Sequence, residues 1–91
     1  MVPVSRTGSL AELLAGLKLR SGLSYEALAR RTHLSRSTLH RYCTGLGVPV
    51  SVAAAESIGH ACGATVEELA ELGDRWWRVD RRRRRRGSRA A

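Results

Sequence analysis

The chain has no phenylalanine, two tyrosines, two tryptophans and a single lysine in 91 residues. With so few bulky aromatics, a core must be built from leucine, alanine and small aliphatic side chains. The β-branched residues are scattered instead of alternating, which gives a sheet little to build on. No apolar run is long enough for a signal peptide or a membrane span. Cys43 and Cys62 lack a C-x-x-C spacing, so they read as reduced thiols of a cytosolic protein, not as a redox pair. Acids are scarce too, eight against sixteen basic residues, and they fall at capping and surface positions. No Ser-His-Asp or Cys-His arrangement stands beside a pocket that so small a body could form, which argues against catalysis.

What the chain does have is arginine, and its placement matters more than its amount. Residues 81–89 hold seven Arg and no acid, so residues 1–80 carry nine basic and eight acidic groups, net +1. Within that part, residues 20–45 contain Arg20, Arg30, Arg31, Arg36 and Arg41 against Glu26, net +4, leaving −3 for the remainder. Glu67, Glu68, Glu71 and Asp74 gather at the far end. A body with one basic stretch and one acidic stretch is what a polyanion-binding face requires.

Capping residues and apolar spacing predict five helices. Ser9-Leu10-Ala11-Glu12 has the form of a capping box, and Leu10, Leu13, Leu14 and Leu17 follow at helical spacing until Gly22. Ser24 caps a second helix with Leu28 and Ala29 inward and Arg30 and Arg31 outward. After His33-Leu34, Ser35 caps a third, with Leu39, Tyr42 and Cys43 on one face and Gly45 as its stop. Leu46 to Val50, with Gly47 and Pro49, reads as a loop. Ser51 caps a fourth helix carrying Val52, Ala55, Ile58 and Cys62 on one face before Gly63. Thr65-Val66-Glu67-Glu68 is a second capping box, and Leu69, Leu72, Trp76 and Val79 continue the fifth helix. Six consecutive Arg from Arg81 repel one another and predict a frayed or disordered end.

Tyr25 to Tyr42 is the informative stretch, two short helices joined by a turn of about three or four residues. Ala29 supplies the small residue where the second helix crosses the first. Leu34 plugs the turn. His33 takes the turn position that needs a positive φ, a role tolerated by few residues other than Gly. With Leu39, Tyr42 and Cys43 inward, Arg36, Ser37, His40 and Arg41 face outward. Such a helix fits the major groove, where Arg pairs bidentately with guanine and Ser or His meets a base edge or a phosphate.

Gly22-Leu23-Ser24-x-x-x-Leu28-Ala29, then Leu34-Ser35-Arg36-Ser37-Thr38-Leu39, then Gly45 and Pro49, resembles the Cro/repressor-type (Xre) family. The run Thr32 to Cys43 is similar to amino-terminal modules of larger high-GC Gram-positive bacterial proteins. The resemblance spans about residues 9–79 and implies a compact domain whose third helix reads DNA. It places Arg36, Ser37 and Arg41 at base-touching positions, and Ser24 and Tyr25 at phosphate-touching ones. Thr38 and His40 on the same helix are further candidates for phosphate or accessory contacts. Three positions depart from the family pattern. Lys18 and Cys43 stand where many members pair Arg with Glu. The loop Leu46-Gly47-Val48-Pro49-Val50 has no basic residue, and His33 replaces the turn Gly.

The expected molecule is therefore all-α, a compact five-helix helix-turn-helix (lambda-repressor-like) domain over 9–80. It would carry a flexible N-terminus over 1–8 and a disordered Arg-rich tail or linker over 81–91. Its expected work is sequence-specific binding of double-stranded DNA as a transcriptional regulator or the DNA-reading domain of one, in the cytoplasm and nucleoid-associated, as a monomer or homodimer. Arg81, Arg82, Arg83, Arg84, Arg85 and Arg86 read three ways: a solvated linker, added phosphate contacts, or the cytoplasmic flank of a membrane span in a longer protein. His33, His40, Cys43, His60 and Cys62 do not form a convergent zinc set, because His60 and Cys62 diverge by about 200° around a helix. No metal or cofactor is expected. The alternative is a protein-interaction adaptor that keeps the helix-turn-helix fold, with a downstream domain or partner near Leu46, Val48, Val50 and Trp77.

Overall fold

The computed structural model describes residues 9–90, with side chains through Arg85. Five helices follow in order: α1 Leu10–Ser21, α2 Tyr25–Thr32, α3 Arg36–Thr44, α4 Val52–Ala61 and α5 Val66–Ala90. The expected N-terminal arm, residues 1–8, lies outside the described residues, as does Ala91.

Every helix opens on a hydroxyl side chain. Ser9, Ser24, Ser35 and Ser51 each accept the amide three residues on, at 3.1 Å. Thr65 and Glu68 satisfy each other reciprocally, Glu68 N–H to Thr65 Oγ1 at 3.1 Å and Thr65 N–H to Glu68 Oε1 at 2.8 Å. Each such cap is worth about 1 kcal/mol, which matters in helices as short as α2 and α3. The Ser9 box differs in its return bond: the Ser9 hydroxyl donates to Glu12 Oε1 at 3.4 Å.

The leucine stripe of α1 is buried from Leu10 to Leu17 and packs against α3, α4 and α5. Leu28, Leu39, Ile58 and Leu72 close the core with no exposure. Both thiols are free and buried; burial first, then the neighbouring Cys62, pushes the Cys43 thiol up. At Gly59 the fourth and fifth helices approach so closely that a Cβ would lie 2.6 Å from Leu72 Cδ1 and 2.9 Å from Leu69 Cδ2. Glycine is used there for its missing side chain.

Trp76 is core, as its place after Leu69 and Leu72 predicts, and its Nε1 donates to the Pro49 carbonyl at 2.8 Å. That bond ties the α3–α4 loop to α5. Three charged residues are buried: Glu68, which the capping box of α5 predicts to be engaged, and Arg75 and Asp80. Glu68 meets Arg20. Arg75 donates to Glu71 at 2.7 Å and to the Ser9 carbonyl at 3.1 Å. Asp80 meets Arg83 and Arg84 at 2.9 and 2.8 Å.

Those last two pairs bear on the tail. The backbone of α5 runs on through the Arg segment to Ala90 as its unpacked end, in keeping with the disordered Arg-rich tail that charge repulsion predicts. Asp80 neutralises one turn of the segment at i+3 and i+4, and cations at a helix C-terminus oppose its dipole. The side chains of Arg81 to Arg85 are all exposed.

Candidate nucleic-acid interface

The α2–α3 pair is positioned by its turn. His33 ends α2 in the left-handed region, φ 61, and is the one non-glycine residue with positive φ among the described residues. Its amide donates to the Ala29 carbonyl at 2.9 Å. Ala29 and Leu34 pack against the core from either side of the turn. Leu39, Tyr42 and Cys43 are buried, so α3 has one orientation open to it.

That orientation exposes Arg36, Ser37, His40 and Arg41 together. With Tyr25 from the start of α2, these four line an open cleft of ≈ 380 Å³. Neither Arg36 nor Arg41 is engaged in an ion pair with the described residues. Two uncommitted guanidinium forks, a hydroxyl and an imidazole on one exposed face can donate to base edges or phosphate oxygens. Thr38 is half-buried, and its hydroxyl accepts from Ser35 at 2.8 Å. Ser24 is exposed, with its hydroxyl already accepting the Ala27 amide.

The wall of the cleft is held from behind. The Tyr25 ring meets the His40 ring edge-on, centroids 5.5 Å apart, and Lys18 Nζ lies 4.2 Å from the Tyr25 centroid. This cation–π contact gives Lys18 a role that the sequence marks only as a departure from a family pair. Periodicity carries no signal for it, because the partner lies on another helix. Arg41 is fixed at its backbone: its carbonyl accepts the amides of Gly45, Leu46 and Gly47. The loop passes beside the Arg41 side chain at Gly47, where a Cβ would make an ordinary contact 3.6 Å from Nε.

Electrostatics separate this face from the acids. The fifth helix packs on α1 and α4 and touches neither α2 nor α3, so exposed Glu67 and Asp74 stand away from the cleft. The third acid of that group is consumed inside: Arg20 Nη2 donates to Glu68 Oε1 at 2.7 Å, with Nη1 on the other oxygen. These bonds hold the Glu68 carboxyl well below its ordinary range, at about 2.

The loop divides in two. Pro49 and Val48 tuck in, whereas Leu46 is 69% and Val50 78% exposed. Trp77 is half-exposed and stacks edge-on against Trp76 at 4.9 Å. The side chain of Arg86 lies outside the described part, whereas Arg81 to Arg85 project into solvent on another element from the cleft. Among the described residues, no three of His, Cys, Asp and Glu gather at metal-binding distance, and no helix is long and apolar enough to cross a membrane.

In comparison with known protein families, residues 9–72 match the family described as a helix-turn-helix domain. Neither the curated proteins nor the solved structures yield a match.

Proposed function

The chain belongs to the helix-turn-helix domain family, and from that premise we propose that it binds double-stranded DNA sequence-specifically, as a transcriptional regulator or the DNA-reading domain of one. The observation that carries this reading is the exposed, unpaired set Arg36, Ser37, His40 and Arg41 on one cleft of the motif's second helix. Arg36, Ser37 and Arg41 read bases from the major groove. Ser24, Tyr25, Thr38 and His40 meet phosphate or fix the readers. Arg81 to Arg86 add contacts to phosphate that carry no sequence information. A cytoplasmic, nucleoid-associated location and binding as a monomer or homodimer accord with this role.

A second reading, a protein-interaction adaptor, is favoured by one observation: Leu46 and Val50 stand exposed where a phosphate-gripping loop would carry basic residues. Binding of random-sequence duplexes over a salt series, followed by selection of bound sequences, tests both. A steep salt slope with an enriched motif supports the DNA reader. Binding with no enriched sequence overturns base reading by α3. No binding at all leaves the adaptor, with its partner sought at Leu46, Val48, Val50 and Trp77.

A further inference from the structure

The outward face of α5 carries a charge pattern that the α3 cleft does not use. Leu69 and Leu72 turn one side of this helix onto α1 and α4, and Trp76 extends that buried stripe. On the opposite side, at about 100° per residue, Glu67 and Asp74 are followed by Arg78, Arg81, Arg82 and Arg85. All six are exposed, and none is engaged in an ion pair with the described residues. The four arginines recur at i, i+3, i+4 and i+7, within about 100° of the helix circumference. Asp80 draws Arg83 and Arg84 to the other side of the helix, so the outward stripe is left uncompensated. It rises about 10 Å, the span of roughly three phosphates of one strand. Glu67 and Asp74 repel a polyanion from the first half of the helix and confine it to the second.

This stripe and the α3 cleft are two surfaces. The first and fourth helices separate them, since α5 has no contact with α2 or α3. The α3 cleft is lined by no residue of α5, so the stripe stands open to a second duplex while α3 holds the first. We infer that the stripe Arg78, Arg81, Arg82 and Arg85 binds the phosphate backbone of a second duplex, so that one chain bridges two DNA segments. The inference rests on α3 being the first duplex site. Duplex DNA is the occupant because four guanidinium forks on one line match regularly spaced phosphates and offer no apolar face for a lipid or a protein groove.

Capture of a labelled duplex by a second duplex immobilised on beads, in the presence of the full chain, tests it. The wild type should capture. R81E/R82E/R85E in the full chain should still bind a single duplex through α3 and should lose capture at least tenfold. R36A/R41A should also bind one duplex and fail to capture. Far-UV circular dichroism checks that each variant folds, and R81Q/R82Q/R85Q, which adds no acid beside Glu67 and Asp74, should lose capture in the same direction. Capture retained by the glutamate variant overturns the inference. So does loss of all binding in R36A/R41A, which would leave α3 as the one DNA surface. Loss of all binding in the glutamate variant instead overturns α3 as a duplex site and leaves α5 as the only one. Sedimentation of the free protein at the same concentration must find a monomer; capture that tracks a dimer, formed by the acidic half of one α5 on the basic half of another, overturns bridging by a single chain.

Discussion

Arg20 at the end of α1 grips both carboxylate oxygens of Glu68 in the first turn of α5, joining elements that lie 48 residues apart. Glu68 also accepts the Thr65 amide at 2.8 Å, so one carboxylate closes a helix cap and an interhelical bridge at once. Its carboxyl sits near 2 in the folded chain, held down first by the Arg20 hydrogen bonds, against an ordinary value of 4.5. A carboxylate depressed on folding stabilises the native state above its unfolded value and ceases to do so as pH falls through its folded value. The stabilisation is therefore complete above about pH 5.5 and is lost progressively between about 4.5 and 2. Glu68→Gln should cost about 1–2 kcal/mol at pH 7, a modest figure because Arg20 is partly solvent-screened. Urea titrations of both proteins from pH 7 to pH 2 should show that difference shrinking toward zero; a constant difference would assign the loss to packing alone.

His33 holds φ 61 at the turn between α2 and α3. A side chain in the left-handed region costs about 1–2 kcal/mol, part of which glycine returns through the greater freedom of its unfolded chain. His33→Gly should raise stability by about 0.5–1 kcal/mol, whereas His33→Val should lower it by more than 1, since a branched Cβ tolerates that region worst. His33 is exposed, so neither variant empties the core. Thermal melts of the three proteins give the order Gly, His, Val.

The adjacent tryptophans should behave as opposites. Trp76 is buried and donates to Pro49, so Trp76→Phe strands that carbonyl and loosens the α3–α4 loop, costing about 1–3 kcal/mol. Trp77→Ala removes a half-exposed ring whose main neighbour is Trp76, and costs about 1 kcal/mol or less. Denaturation midpoints measure both, and equal losses would refute the division between core and surface.

Local chemistry made the fold legible and long-range polar contacts hid part of it. Serine and threonine caps, the glycine stops and the leucine spacing act within one turn of chain, so Ser24, Ser35 and Ser51 mark their helices unambiguously. The outward set on α3 follows from the inward one by helix geometry. The burial of Glu68, Arg75 and Asp80 was opaque because a charged side chain is read as exposed until its partner is known. For Glu68 and Arg75 that partner lies across the fold, at Arg20 and at the Ser9 carbonyl. The tail divides in the same way: repulsion within the Arg run is visible along the chain, whereas the pairs from Asp80 to Arg83 and Arg84 depend on helix geometry.

Arg41 combines a fixed backbone with an uncommitted side chain. Three amides on its carbonyl hold the end of α3 in place, while its guanidinium lies exposed against Gly47. A fork held in this way discriminates, because a wrong base leaves its donors unpaired where a right one pairs two at once. On the sequences selected by the wild type, Arg41→Ala should cost about 1–3 kcal/mol at one base position and relax the preference there, with other positions unchanged. Arg36→Ala should do the same at a different position. Competition titrations against single-base variants of the selected site measure each loss. An equal loss on every sequence would reduce Arg41 to a phosphate contact, since a phosphate is the same beneath every base.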